Sequence, residues 1–313
     1  MTKPFAIGID IGGTNTKIGL VDKKGNILNQ TVMHTTGYDT VELYVDALKS
    51  EIEKLAADRG INEITGVGVG VPNGNYYTGE VADAPNLPWR GKIPFAQIMR
   101  ERLGYKVQLT NDANAAALGE MEYGAAKGMK DFIMITLGTG VGSGFVANGQ
   151  LIYGYTGFAG ELGHAVIERD GRLCNCGSRG CMERYCSATG IVITANKFLE
   201  ERKEDSVLRQ HPGKLTAKDI QQAAEAGDKL AIEIFEYTGM ILGETLAIAV
   251  SITSPQAIVF FGGLAKAGDL LFKPVRMHME KNLLHVFKNK VELLHSTLPD
   301  ADAAILGASA LAW

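Results

Sequence analysis

Three groups of side chains in this 313-residue sequence have the types and spacings to do chemistry. The first is a glycine turn, Gly12-Gly13-Thr14-Asn15, preceded by Asp10 and followed by Lys17. Glycines let backbone amides approach an anion without a Cβ in the way, while Thr14 and Asn15 add donors and Lys17 a positive charge. A phosphate is the natural guest. Asp10 is then either a carboxylate that positions magnesium beside that phosphate, through water, or a strand-end Asp bonding its own turn. The second group is Asn111-Asp112, where the apolar run KVQLT meets the alanine-rich ANAAALGEMEYGAA. Position alone leaves two readings open for Asp112, a helix N-cap or a catalytic carboxylate at a strand-to-helix junction.

The third group lies in GELGHAVIERDGRLCNCGSRGCMERYC. His164, Cys174, Cys176 and Cys181 supply one imidazole and three thiolates, the donor set of tetrahedral zinc; free buried cysteines or redox thiols are the alternatives. Four protein ligands leave no open position, so such a zinc is structural. Cys186 lies outside the pattern and reads as a core residue. The flanking Glu161 and Glu183 could accept from adjacent hydroxyls, with the second nitrogen of His164 adding a third bond, and so form a polyol pocket; the alternative is ordinary surface acids.

These residues need elements to hold them. FAIGIDIGGTNTKIGLVDKKGNIL reads as strand, glycine turn, strand, and a second turn leads to a third run. From Phe132, FIMITLGTGVGSGFVANGQLIYG repeats the plan, with Gly138, Thr139 and Gly140 in the turn. No helix follows the first glycines and no G-K-[ST] closes them, which excludes a Rossmann fingerprint and a Walker loop. Two similar hairpins predict two related α/β domains facing one another across a cleft, each offering a phosphate-binding turn. Between them, Val41, Tyr44, Val45, Leu48, Ile52 and Leu55 predict one face of a helix closed by Gly60. The loop PNGNYYTGEVADAPNLPW has the length of a functional loop. Its Asn86, held between Pro85 and Pro88, is a candidate sugar-hydroxyl contact or a turn former. Further on, ATGIVITANKFLEERK, a segment starting at Thr216, LLFKPVRMHMEKNL and the closing DADAAILGASALAW read as helices, and DKLAIEIFEYTGMILGETLAIAVSITSP as a long core helix. VELLHSTL reads as a strand, and AIVFFGGLA as a buried strand ending in Gly262-Gly263.

Length suffices for two domains of ordinary size. A formal charge of −4 provides no broad basic field for nucleic acid or anionic membrane, so small molecules and other subunits are the expected partners. No apolar run reaches the roughly 20 residues that span a bilayer. With no signal-peptide pattern before the first strand, a cytoplasmic location is expected. Four clustered cysteines in a reducing compartment point to metal more than to disulfides.

The paired hairpins, the N-D pair and the spacing G-H-x9-C-x-C-G-x2-G-C-x-E resemble the ROK family of sugar kinases over nearly the whole chain, its bacterial glucokinase branch above all. The resemblance implies an α/β fold, the duplicated actin/hexokinase-like (ribonuclease H-like) ATPase, with two domains around a cleft: residues 1–112 plus 299–313, and 113–298 with the zinc loop. It implies an ATP-dependent hexose kinase that uses Mg2+ and carries structural Zn2+ on His164, Cys174, Cys176 and Cys181. Asp112 becomes the catalytic base, and Asn111, Glu161, His164 and Glu183 contact the sugar, joining the candidate Asn86 named above. Asp10, Gly12, Gly13, Thr14, Asn15 and Lys17 face the nucleotide with Gly138, Thr139 and Gly140, while Gly262 and Gly263 lie at adenine and ribose. Glucose is the expected acceptor. An N-acylmannosamine kinase or fructokinase is the alternative within the family, and a homodimer is expected. Some relatives are sugar-responsive transcriptional regulators with a winged helix-turn-helix; few residues precede the first strand here and no basic recognition helix is evident. One departure is Asn73, where many relatives have glycine.

Overall fold

The same strand order is laid down twice along this chain. The computed structural model describes residues 3–57, 63–84, 86–299 and 302–313; Gly60 and Pro85, named above as punctuation, lie outside the described residues. The first pass comprises β1 (Phe5–Ile11), β2 (Asn15–Asp22), β3 (Ile27–His34), α1 (Val41–Ala56), β4 (Ile64–Gly70), the short pair β5 (Val81–Ala82) and β6 (Lys92–Ile93), α2 (Phe95–Leu103), β7 (Val107–Thr110) and α3 (Asp112–Tyr123). The second comprises β8 (Phe132–Leu137), β9 (Val141–Ala147), β10 (Gln150–Leu151), α4 (Glu183–Cys186), α5 (Ala188–Glu201), α6 (Ala217–Glu225), α7 (Lys229–Thr253), β11 (Ala257–Phe261), α8 (Asp269–Asn282), β12 (Glu292–His295) and α9 (Ala303–Ala310). One sheet runs β3-β2-β1-β4-β7 and the other β10-β9-β8-β11-β12. Each is an antiparallel meander extended by two parallel strands, the repeat expected from the two hairpins.

By compactness the chain divides into two units: Met1–Lys130 with Gly144–Gly160 and Ser296–Trp313, and Asp131–Ser143 with Glu161–His295. The expected division kept residues 113–130, 144–160 and 296–298 with the second half. In the first unit β1 is buried along nearly its whole length, as a strand covered on both faces must be. One cover is α1, which buries Val41, Tyr44, Val45, Leu48, Ile52 and Leu55, the face predicted from spacing, and is capped by Thr40 accepting from the Leu43 N–H. The other is α9, which approaches so closely that a Cβ on Gly68 would stand 1.9 Å from the Ala308 carbonyl oxygen. Glycine in mid-strand is weak for strand formation, and here it is what lets helix backbone rest on sheet backbone.

In the second unit α7 is the central helix. At 25 residues it passes a length and composition test for a membrane span, so the expectation that no stretch reaches bilayer length undercounts it. Two thirds of its most apolar window is buried inside the protein, as in a core helix. Its neighbour α6 begins with a reciprocal capping box between Thr216 and Asp219.

Candidate active site

In the first unit, strand register brings two carboxylates to one edge. Asp10 pairs with Gly70 across the parallel β1–β4 ladder, and Gly70 pairs with Thr110 across β4–β7. Asp10 and the end of β7 are therefore two strand spacings apart, about 10 Å of backbone, with a side-chain-free residue between them. Asn111 then turns the chain into α3. It is Asn111, not Asp112, that caps the helix: its side-chain oxygen accepts from the Asn114 N–H at 2.7 Å. Asp112 is the first helical residue, so the N-cap reading of that carboxylate is removed.

Asp112 is open to water, with one oxygen accepting from the Ala113 N–H at 2.9 Å. It nevertheless stands amid enough protein to lose bulk hydration, and this raises its carboxyl above the ordinary range despite the amide bond. Asp10 is pushed up to about 6, first by desolvation and then by the charge of Asp112, with Lys17 pulling the other way. Lys17 sits directly opposite Asp10 on β2. Two raised carboxyls beside a glycine turn, one of them raised in part by the charge of the other, mark this edge as a candidate functional site.

The glycine turn is braced from below. The Gly12 N–H donates to the Asn15 carbonyl at 3.0 Å, and the Thr35 N–H to the Thr14 carbonyl at 2.9 Å. Thr35 Oγ1 donates to the Gly12 carbonyl at 2.7 Å and lies 2.9 Å from Thr16 Oγ1, which in turn lies 2.6 Å from the Tyr44 hydroxyl. Sequence reasoning missed these three buried hydroxyls, because Tyr44 counted only as an apolar helix position. Asn86 is exposed, on a loop that rests against Gly13.

The second unit holds the cysteine cluster. The donor atoms of His164, Cys174, Cys176 and Cys181 all lie within 4.8 Å of one another. A tetrahedral ion about 2.3 Å from sulfur and about 2.0 Å from nitrogen needs sulfur pairs about 3.8 Å apart and sulfur–nitrogen pairs about 3.5 Å apart. Cys176 and Cys181 Sγ are 3.6 Å apart, and Cys174 Sγ is 3.7 Å from His164 Nδ1, so the four residues fit such an ion. The loop is a narrow hairpin, bridged between Val166 and Cys181 and between Leu173 and Arg179. Cys176 is drawn down to about 7, first by the Ser178 backbone N–H, which favours the thiolate a metal requires. Cys186 is buried in the core, as expected.

Glu183 links this cluster to the second glycine turn. One carboxylate oxygen accepts from the Val141 N–H at 3.0 Å, and the other lies 3.6 Å from Cys174 Sγ. The N-terminus of α5 completes the support: the Ala188 N–H donates to the Gly138 carbonyl and Thr189 Oγ1 to the Thr139 carbonyl, both at 2.9 Å. Glu161 is exposed, and its carbonyl accepts from the His164 N–H. Gly263 lines a cavity of ≈ 570 Å³ with Thr216, Lys218, Gln221, Glu225 and Lys266. The contribution of α6 was also missed, although its uninterrupted polar stripe could have marked it.

The model of the ROK family matches residues 6–313. This chain belongs to the ROK family. A glucokinase of Halalkalibacterium halodurans is 36% identical over 313 residues, 98% of this ROK protein and 94% of the relative. A glucokinase of Thermotoga maritima is 36% identical over 318 residues, 99% of this chain and 98% of its own. Among solved structures, a ROK family glucokinase from Streptomyces griseus in complex with glucose and AMPPNP superposes with a TM-score of 0.79 at 33% identity, covering 97% of this chain and 98% of that one. The two-sheet duplication of this ROK protein is accordingly the actin/hexokinase-like fold.

Proposed function

We propose that this ATP-dependent sugar kinase is a glucokinase with Asp112 as its general base. The kinase activity itself follows from the family match over residues 6–313 and from the glucokinase relatives at 36% identity across nearly the whole chain. Glucose as acceptor is supported by those relatives and by the related glucose complex. The observation that carries the base assignment is Asp112 at the β7–α3 junction, water-accessible, raised in pKa by desolvation and close enough for its charge to raise Asp10. A carboxyl shifted toward the working pH takes a proton more readily than an ordinary aspartate.

In this reading the 6-hydroxyl of glucose gives its proton to Asp112 as its oxygen bonds to the γ-phosphorus, and the bond from that phosphorus to the bridging oxygen of ADP breaks. Asn86, Asn111, Glu161, His164 and Glu183 hold the sugar. With Cys174 a metal-bound thiolate, the Glu183 oxygen nearest it meets no proton donor there and is available to a hydroxyl. Gly12 to Asn15 with Lys17, and Gly138 to Gly140, bind phosphate oxygens; Gly262 and Gly263 border the base and ribose. Magnesium, held through Asp10, would neutralise charge on the phosphates. Zinc on Cys174, Cys176, Cys181 and His164 Nδ1 would hold the loop that carries His164 and Glu183.

The test is coupled ADP release with glucose, mannose, fructose, glucosamine and N-acetylmannosamine. Glucose should give the highest kcat/KM. A preference for fructose or N-acetylmannosamine would remove the glucose assignment while leaving the base in place.

A further inference from the structure

The two adjacent glycines of the first turn are glycine for different reasons. Neither has a positive φ, so neither is required by backbone conformation. A Cβ on Gly12 would meet only the Asn15 carbonyl, at 3.1 Å, within the turn itself. A Cβ on Gly13 would stand 2.6 Å from the Asn86 carbonyl oxygen and 3.2 Å from Asn86 Cβ. The space that a side chain at position 13 would fill is thus taken by backbone from the loop between β5 and β6. That loop is laced into one piece: the Leu87 N–H and an Arg90 guanidinium nitrogen both donate to the Ala84 carbonyl, at 3.2 and 2.8 Å, and Leu87 is buried.

A second contact joins the same two segments from behind. The Tyr44 hydroxyl heads a one-directional chain, Tyr44 to Thr16 to Thr35 to the Gly12 carbonyl, since Thr35 gives its proton to Gly12 and must accept from Thr16. The ring of the same tyrosine packs on Trp89, centroids 4.7 Å apart. One buried side chain therefore holds the phosphate turn by its oxygen and the acceptor loop by its face.

We infer that the phosphate turn of this unit is also the seat of the sugar loop: Gly13 is a positioning residue for the acceptor, acting through Asn86, and Tyr44 locks turn and loop together. This rests on the reading of Asn86 as a sugar contact. The consequence is specific, because a residue that served only phosphate would leave sugar affinity alone when no nucleotide is present.

Calorimetric titration of glucose into nucleotide-free protein tests it. A methyl at Gly13 displaces the Asn86 carbonyl by a substantial fraction of an ångström, and loosening the bond that Asn86 makes to a sugar hydroxyl costs roughly 3- to 10-fold in affinity. Gly13→Ala should weaken glucose binding by that factor. Gly12→Ala should raise KM for ATP with the glucose Kd unchanged within about twofold, since its methyl meets only the turn. Wild-type glucose affinity in Gly13→Ala, with only KM for ATP raised, would overturn the inference. Should Gly13→Ala fail to fold, Tyr44→Phe keeps the ring on Trp89 and removes the hydroxyl chain. Its glucose affinity should fall severalfold although the lost oxygen touches neither sugar nor Asn86, and an unchanged value would overturn the inference equally. If wild-type protein prefers another hexose, that preference shows in wild type alone, and the variants are titrated with the preferred sugar.

Discussion

The two sheets share one topology yet differ in what stands at the ends of their strands. In the first, the last rung of the β1–β4 ladder places Asp10 beside Gly70, one residue before the strand ends at Ile11, and β7 passes directly into α3 through Asn111-Asp112. In the second, alignment of β8 on β1 from their first phenylalanines puts Leu137 at the place of Asp10, followed by Gly138. There β12 is followed by Ser296, whose hydroxyl donates to Glu120, and the next helix, α9, starts only at Ala303. The long insertion also differs: β3 leads to α1 within a few residues, whereas β10 and α4 are separated by the cysteine hairpin. A duplicated scaffold thus supplies two glycine turns, and in the proposed reading the residues at the strand ends decide which copy carries acid–base chemistry. The second copy, with leucine at the place of Asp10, carries the Cys/His cluster, which meets its glycine turn through Glu183.

The largest effect tests that asymmetry at its centre. Asp112→Asn keeps shape and hydrogen-bonding capacity but cannot take a proton, so kcat should fall by at least about 10²- to 10⁴-fold, the usual contribution of a general base. Glucose binding by calorimetry should be largely kept. Near-normal turnover would return Asp112 to a structural role and erase the difference between the halves. Next in size is the Cys/His cluster. Cys181→Ser should lower bound zinc from one equivalent per chain to a small fraction, measured by elemental analysis. A loss of roughly 3–5 kcal/mol from this unit would lower its melting temperature by about 10 °C. Unchanged zinc content and melting would show that the hairpin holds itself.

How much of this could be read before any coordinates depends on whether a residue's role is local. The paired hairpins, the α1 face and the Cys/His spacing are short-range patterns, and the strands, helix and ligand cluster follow them. Asp112 as first helical residue was not separable from an N-cap, because the two differ by one position and both favour short polar side chains. Thr35 under Gly12, Thr189 under Thr139 and Asn86 on Gly13 were illegible: each joins segments far apart in the chain, and no periodicity announces a hydroxyl that turns inward to reach one carbonyl. The β10 strand was legible as a third run, but its two residues fall well short of the eight in β3.

Smaller in effect is the pH response of Asp10. Its folded pKa, about 6, lies above the ordinary aspartate range, so the ionised carboxylate is disfavoured in the native state. Lowering pH from above 6 toward 4 protonates the native form first, and this group then adds stability that is absent at neutral pH. Asp10→Asn should therefore melt higher than wild type at pH 7.5 without ligands, with the difference vanishing near pH 4. Its counterpart change, Leu137→Asn, buries an unpartnered amide and should be destabilising at every pH. A melting difference for Asp10→Asn that does not change with pH would refute the assigned shift.

The smallest effect concerns the departure at position 73. Asn73 adopts φ 55°, a conformation glycine enters freely and asparagine tolerates better than other residues. Its side-chain amide donates to the Ala82 carbonyl at 2.9 Å while its backbone carbonyl accepts from the Ala82 N–H, so the residue clamps the start of the loop that carries Asn86. Asn73→Gly keeps the backbone path and removes only the side-chain bond, worth about 1 kcal/mol net. The expected result is a rise in KM for glucose of about fivefold at most, with KM for ATP and the second unit's zinc content unchanged. A larger change, or one that reached ATP, would mean that this clamp also supports the turn at Gly13, and that the first half works as a single rigid piece.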